Sequence, residues 1–207
     1  MRLTYICLLM VYQLLVTGMA SSSIRCSLTT LLWKTHSHQA LQETCGTIQF
    51  PPDNGCTLMN EIQNSSGRMF GVSDALLKHG RATHAWIISS GKVDDINNPP
   101  LHISRTGMVH GIPNYLSSAR GELQGITAMS IISNMFSQYH NKQIKTSAIC
   151  DNAGVINKCA KGRFSSLQRN RDANIDLYLT QRDHSHLSQM NLSWVRGHSD
   201  KKPWDSF

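Results

Sequence analysis

The order of elements along this chain predicts an α/β fold on a mixed sheet, and three observations carry that expectation. β-rich runs come early, at 68–74, 83–89 and 101–110. A long helical pattern follows over 117–139. Single strands then alternate with helices: strand 144–151, helices 152–161 and 172–187, strand 190–195. Hairpin strands followed by helical crossovers give antiparallel pairs on one side of a sheet and parallel pairs on the other.

Each element has a local reason. Residues 68–74, Arg-Met-Phe-Gly-Val-Ser-Asp, form a short apolar run ending in an acid. Lys78-His79-Gly80-Arg81 reads as a turn, and 83–89, with Trp86, Ile87 and Ile88, as the second strand of a hairpin. Asn97-Asn98-Pro99-Pro100 breaks the chain before the third strand. Ser117 or Ser118 suits the N-cap of the long helix, where Leu123, Ile126, Met129, Ile132, Phe136 and Tyr139 recur at helical spacing. Residues 144–151 are again β-rich and end in an acid, and Gly162 stops the helix after them. Ile175, Tyr178, Leu179 and Leu187 carry the last helical pattern. Residues 21–66 show no firm periodicity, and Asn64-Ser65-Ser66-Gly67 marks a boundary. The expected organisation is an irregular N-terminal segment, 1–66, and one domain, 67–207.

The 207 residues, 40% of them hydrophobic, suffice for one sizeable core. A formal charge of +7 and a pI of about 9.3 suit a polyanionic partner such as nucleic acid. Six cysteines include no Cys-x-x-Cys pair, which argues against a zinc site, and Cys150 reads as a small buried thiol in a strand. Met1-Arg2, an apolar run over 5–16 and Thr17-Gly18-Met19-Ala20 have the layout of a secretory signal. Interrupted at Gln13, that run is too short to span a bilayer as a helix.

The chemistry rests on three acids. Glu122 lies on the edge of the apolar stripe, one turn before Ile126. A carboxylate on the packed side of a helix is costly unless a positive group meets it, either an Arg or Lys or a metal ion. Asp74 and Asp151 each end a β-rich run, and a crossover helix that sets those strands side by side makes them neighbours. Three clustered carboxylates repel one another and need cations; oxygen donors suit Mg²⁺ or Mn²⁺. Two such ions in one site can hydrolyse a phosphodiester in line. Singly, each residue has a plainer reading. Asp151 can cap the helix that begins at Asn152, Glu122 can pair with Arg120 or a lysine, and His198 can be a surface histidine.

Four segments together resemble the ribonuclease H domain of retroelement reverse transcriptases. They are Val72-Ser73-Asp74-Ala75 with Gly80 to Ile87, Ser118-Ala119-Arg120-Gly121-Glu122-Leu123-Gln124-Gly125, Cys150-Asp151-Asn152, and Trp194-Val195-Arg196-Gly197-His198-Ser199-Asp200-Lys201-Lys202-Pro203-Trp204. The resemblance covers 68–207 and implies an RNase H-like mixed sheet flanked by helices. It implies Asp74, Glu122 and Asp151 as metal-binding carboxylates, with His198 as the fourth catalytic group, assisting proton transfer or product release. It also implies Arg196, Lys201 and Lys202 as phosphate contacts, Mg²⁺ or Mn²⁺ as cofactor, and hydrolysis of the RNA strand of RNA–DNA hybrids. The family's fourth carboxylate, on a helix after the histidine, has no match, since neither Asp200 nor Asp205 sits in an evident helix. The expectation is a domain incomplete at its C-terminal end.

Three functions stay open on these grounds: an active nuclease, a remnant that only binds nucleic acid, and a secreted protein of unrelated role. The first two place the chain in the nucleus or cytoplasm. The sequon Asn191-Leu192-Ser193 falls in a predicted strand, where a glycan is expected to clash with a packed sheet, and this argues against export.

Overall fold

The computed structural model describes residues 44–45, 48, 56–64, 68–91, 101–139, 141–161 and 164–196. Its sheet is built from β1 (Arg68–Lys78), β2 (Arg81–Ser89), β3 (His102–Met108), β4 (Lys145–Cys150) and β5 (Met190–Trp194), in the order β3-β2-β1-β4-β5. β2 is antiparallel to both its neighbours, whereas β1, β4 and β5 run parallel. This is the mixed sheet of antiparallel hairpin strands and parallel crossover strands that the sequence predicts. Five helices accompany it: α1 (Cys56–Asn64), α2 (Ser118–Tyr139), α3 (Ala153–Lys161), α4 (Ser166–Arg171) and α5 (Ile175–Ser188).

Period-two alternation fixes one face of the sheet. Met69, Gly71 and Ser73 of β1 point inward together with Ala82, His84, Trp86 and Ile88 of β2. A two-residue turn joins the two strands, with Lys78 paired to Arg81 and positive φ at His79 (50°) and Gly80 (73°). That is the turn whose twist matches a hairpin.

α2 lies on the inward face. Ser117 caps it, its Oγ accepting from the Arg120 N–H at 3.1 Å. The sequence pattern implies a one-sided apolar stripe, but every residue from Arg120 to Phe136 is buried, because α5 covers the side of α2 that the sheet leaves open. Small hydroxyl residues make that burial affordable for the backbone and for themselves. Thr127, Ser130 and Ser137 donate to the carbonyls of Leu123, Ile126 and Ser133 at 2.7, 3.0 and 3.0 Å. α1, which no periodicity announces, adds Leu58, Met59 and Ile62 to the core that holds Trp86, Met129 and Phe136.

Two glycines one turn apart let α2 approach β1 and β2 closely. A Cβ at Gly121 would sit 2.6 Å from the Ala75 Cβ, and one at Gly125 would collide with the Ser73 Oγ. The hydroxyl of Ser73 uses that closeness, donating to the Glu122 carbonyl at 2.9 Å. Gly125→Ala gains helix propensity worth about 1 kcal/mol but must displace Ser73 or the helix, at about 1–3 kcal/mol or more. Thermal unfolding followed by circular dichroism is expected to show a net loss of several degrees; an unchanged midpoint would mean that the contact is slack.

Two sequence readings need correction. β1 does not end at Asp74 but continues to Lys78, paired there with β2 alone. Asn191 and Ser193 are exposed on β5, which is an edge among the described strands, so a packed sheet gives no argument against a glycan. Among the described residues no helix is long and apolar enough to cross a membrane. The apolar run 5–16 lies outside the described residues.

Candidate metal centre

The parallel pairing of β1 with β4 sets Val72 beside Ile149 and Ser73 beside Cys150, and stops there. The next residue on each strand is an aspartate, as the sequence leads one to expect. Asp151 lies in a bend after β4 and is exposed. It does not cap α3; that role falls to Asn152, whose Oδ1 accepts from the Val155 N–H at 3.1 Å. Asp74 alternates to the face opposite Ser73, is exposed, and its Oδ1 accepts from the Ala75 N–H at 2.8 Å.

Glu122 comes from the second turn of α2 and is only 4% exposed. Arg120 does not meet it. The Arg120 guanidinium is engaged elsewhere, donating to the carbonyls of His110 (2.7 Å) and Ala173 (3.0 Å) and pairing with Asp176 at 2.9 Å. Lys158 and Arg182 are likewise paired elsewhere, with Asp172 and Asp183, and no cation among the described residues contributes to the electrostatics of Glu122. Its carboxylate instead accepts from the Cys150 thiol at 2.9 Å and from Asn152. Burial holds the Glu122 pKa above the ordinary range; the Cys150 and Asn152 hydrogen bonds oppose that, and the charges of Asp151 and Asp74 reinforce it. Burial, together with the bond to Glu122, pushes the Cys150 thiol far above its ordinary value, so it stays protonated and donates.

Glu122, Cys150 and Asp151 each offer an atom within 4.8 Å of the others. Asp74 is outside that tight group, although its charge acts on Glu122. The arrangement is electrostatically incomplete: a buried carboxylate faces a second and feels a third, with no described cation. A hard divalent ion fits this donor set, with carboxylate oxygens as ligands and the protonated thiol as a support for Glu122.

The end of β5 and the residue after it close over the same turn. Trp194 Nε1 donates to the Asp151 carbonyl at 2.9 Å, and the Val195 N–H to that of Cys150 at 3.1 Å. Arg196 follows directly and is exposed. His198, Lys201 and Lys202, with Asp200 and Asp205, lie outside the described residues. The sequence reading missed Cys150 and Asn152 as supports of Glu122 and Trp194 as a brace for Asp151. Their position beside the strand-end aspartate was the available signal, but a hydrogen bond across two elements has no signature in spacing.

No protein-family model matches the chain, and no curated protein sequence does. Among solved structures, it is similar to the N-terminal RNase H domain of a Mycobacterium tuberculosis protein, solved as a fusion with maltose-binding protein. That similarity has 9% identity and a TM-score of 0.45, covering 63% of this chain and 83% of the other. It is also similar to RNase H1 from the archaeon Halobacterium salinarum NRC-1, at 11% identity and a TM-score of 0.42, covering 63% of this chain and 87% of that one.

Proposed function

We propose that this chain is a divalent-metal-dependent nuclease of the ribonuclease H type, derived from a retroelement, that hydrolyses the RNA strand of RNA–DNA hybrids in the nucleus or cytoplasm. One observation carries the reading: Glu122, nearly fully buried and without a described cation, lies with Asp151 and Cys150 inside a 4.8 Å group. Such a group is costly as it stands and becomes favourable around a cation.

Glu122 and Asp151, with Asp74 alongside, would hold magnesium or manganese, which would supply charge neutralisation at the phosphate and activation of water. The chain's own residues do the rest. Cys150 and Asn152 fix the direction of the Glu122 carboxylate, and Trp194 holds the Asp151 backbone. Exposed Asp74 and Asp151 leave the site open to a long polymer. In this reading His198 carries the proton or eases product release, while Arg196, Lys201 and Lys202 meet phosphates. Hybrid recognition then works through minor-groove shape and 2′-hydroxyls.

The placing of Asp74 outside the tight group favours a second reading, a domain that binds hybrids without cutting them. A labelled RNA–DNA hybrid incubated with the protein separates the two. Cleavage that needs Mg²⁺ or Mn²⁺, stops with EDTA and falls by about a hundredfold or more in Asp151→Asn supports the nuclease. Retained hybrid binding with no cleavage in either metal supports the binding domain instead.

A further inference from the structure

We propose that the tip of the β1–β2 hairpin is a second nucleic-acid contact, a phosphate clamp formed by Lys78 and Arg81 at a fixed distance from the acidic centre. The inference deepens the function proposed above and rests on it.

The hairpin outruns the sheet. β4 leaves β1 at Ser73, whereas β1 and β2 stay paired as far as Lys78 and Arg81. On the other flank, the last β2–β3 pair is Thr83 with Met108. Beyond the Ala82 carbonyl, which accepts from the Val109 N–H at 2.8 Å, the tip stands clear of the other described strands, and Lys78, His79 and Arg81 are all exposed.

Its charge is unusual for a strand pair. Lys78 and Arg81 are direct cross-strand partners, and like charges placed so repel each other. No relief comes from the local sequence, since residues 75–93 contain no Asp or Glu. Neither side chain takes part in an ion pair among the described residues. A polyanion turns that repulsion into attraction. Alternation places Lys78 and Arg81 on the face of the hairpin that carries Asp74, with Leu76 and Thr83 between them. Lys78 is four residue steps along the strand from Asp74, about 13 Å at the usual rise. That is roughly four base-pair steps along a duplex. A hybrid whose scissile phosphate lies at the acids thus has its own backbone within reach of the tip.

The test is hybrid affinity as a function of salt, measured in EDTA so that nothing is cut, for the wild-type chain and for Lys78→Gln/Arg81→Gln. Losing two phosphate contacts is expected to make the log–log salt slope shallower by roughly 1.8. Between 50 and 200 mM salt the wild type should then lose roughly twelvefold more affinity than the variant. Relief of the like-charge pair predicts that the variant unfolds at no lower a temperature than the wild type, and this serves as the check on its fold. An unchanged slope in a folded variant overturns the clamp and leaves the nuclease reading intact. A wild type that binds without cutting, with the slope difference present, supports the clamp while the nuclease reading fails. A wild type that binds no hybrid at low salt overturns both.

Discussion

Replacing Glu122 by Gln is expected to abolish metal-dependent hybrid cleavage and, at neutral pH, to make the protein more stable. The two effects share one cause. The folded-state pKa of Glu122 is raised, by burial first and then by Asp151 and Asp74. A carboxyl raised in this way contributes stability only below its unfolded pKa, and that contribution is lost as pH climbs through the folded value. Above that folded value the native state carries a buried charge without a described cation. Glutamine keeps the size and an oxygen for the Cys150 thiol while removing that charge. Thermal melts without metal should rise by a few degrees, the size of a gain of about 1 kcal/mol in a domain of this length. Cleavage should fall by roughly a hundredfold or more, because a ligand is lost. Added Mg²⁺ should raise the wild-type midpoint and leave the variant's unmoved, since an ion that binds only the native state stabilises by mass action. A variant that melts lower than wild type without metal would show that Glu122 is satisfied within the protein and would undercut the metal centre.

Acid should destabilise the fold steeply between pH 6.5 and pH 4, with His84 as a main cause. This histidine is 2% exposed, and neither ring nitrogen has a hydrogen-bond partner; the indole nitrogen of Trp86, two residues along, is in the same condition. Burial lowers the His84 pKa to about 4, helped by the positive charge of Arg105 and by His110. Folded histidine thus stays neutral where the unfolded chain takes up a proton. The unfolded state binds more protons in that window, so stability falls as pH drops through it. From pH 7 to pH 4.5 the loss attributable to this residue is roughly 2–3 kcal/mol. His184, also lowered by burial, adds in the same direction. Urea unfolding of wild type and His84→Leu at both pH values isolates the effect. The leucine variant should lose less stability on acidification by that amount, and equal losses would show that the ring is solvated in the native state.

The sheet was legible in the sequence because its strands alternate and its breaks are strong. Trp86, Ile87 and Ile88 after a His-Gly turn, and Asn-Asn-Pro-Pro before the third strand, leave little choice of element. The boundaries of α2 were close for a similar reason, since Ser117 caps it as expected. What escaped depended on partners distant in sequence. α1 has no convincing stripe until its three apolar residues meet the core. The full burial of α2 needs α5, which nothing within 117–139 announces. That the strands leading to Asp74 and Asp151 lie side by side followed from strand order alone, but that Arg120 does not partner Glu122 did not. Asp176, distant in sequence, claims that arginine.

The pairing of β1 with β4 also governs when the acidic group comes into existence. The β1–β2 hairpin joins residues close in sequence and can form within microseconds. Asp74 and Asp151 become neighbours only after α2 has crossed over and Arg68 has found Lys145, a late and entropically demanding contact. Until then the carboxylates are apart, hydrated and without mutual repulsion. The step that closes this pairing thus brings together charges that resist it. Divalent ions, which recognise only the assembled group, would act on that step by slowing its reversal, so metal should lengthen the lifetime of the native state more than it speeds its formation.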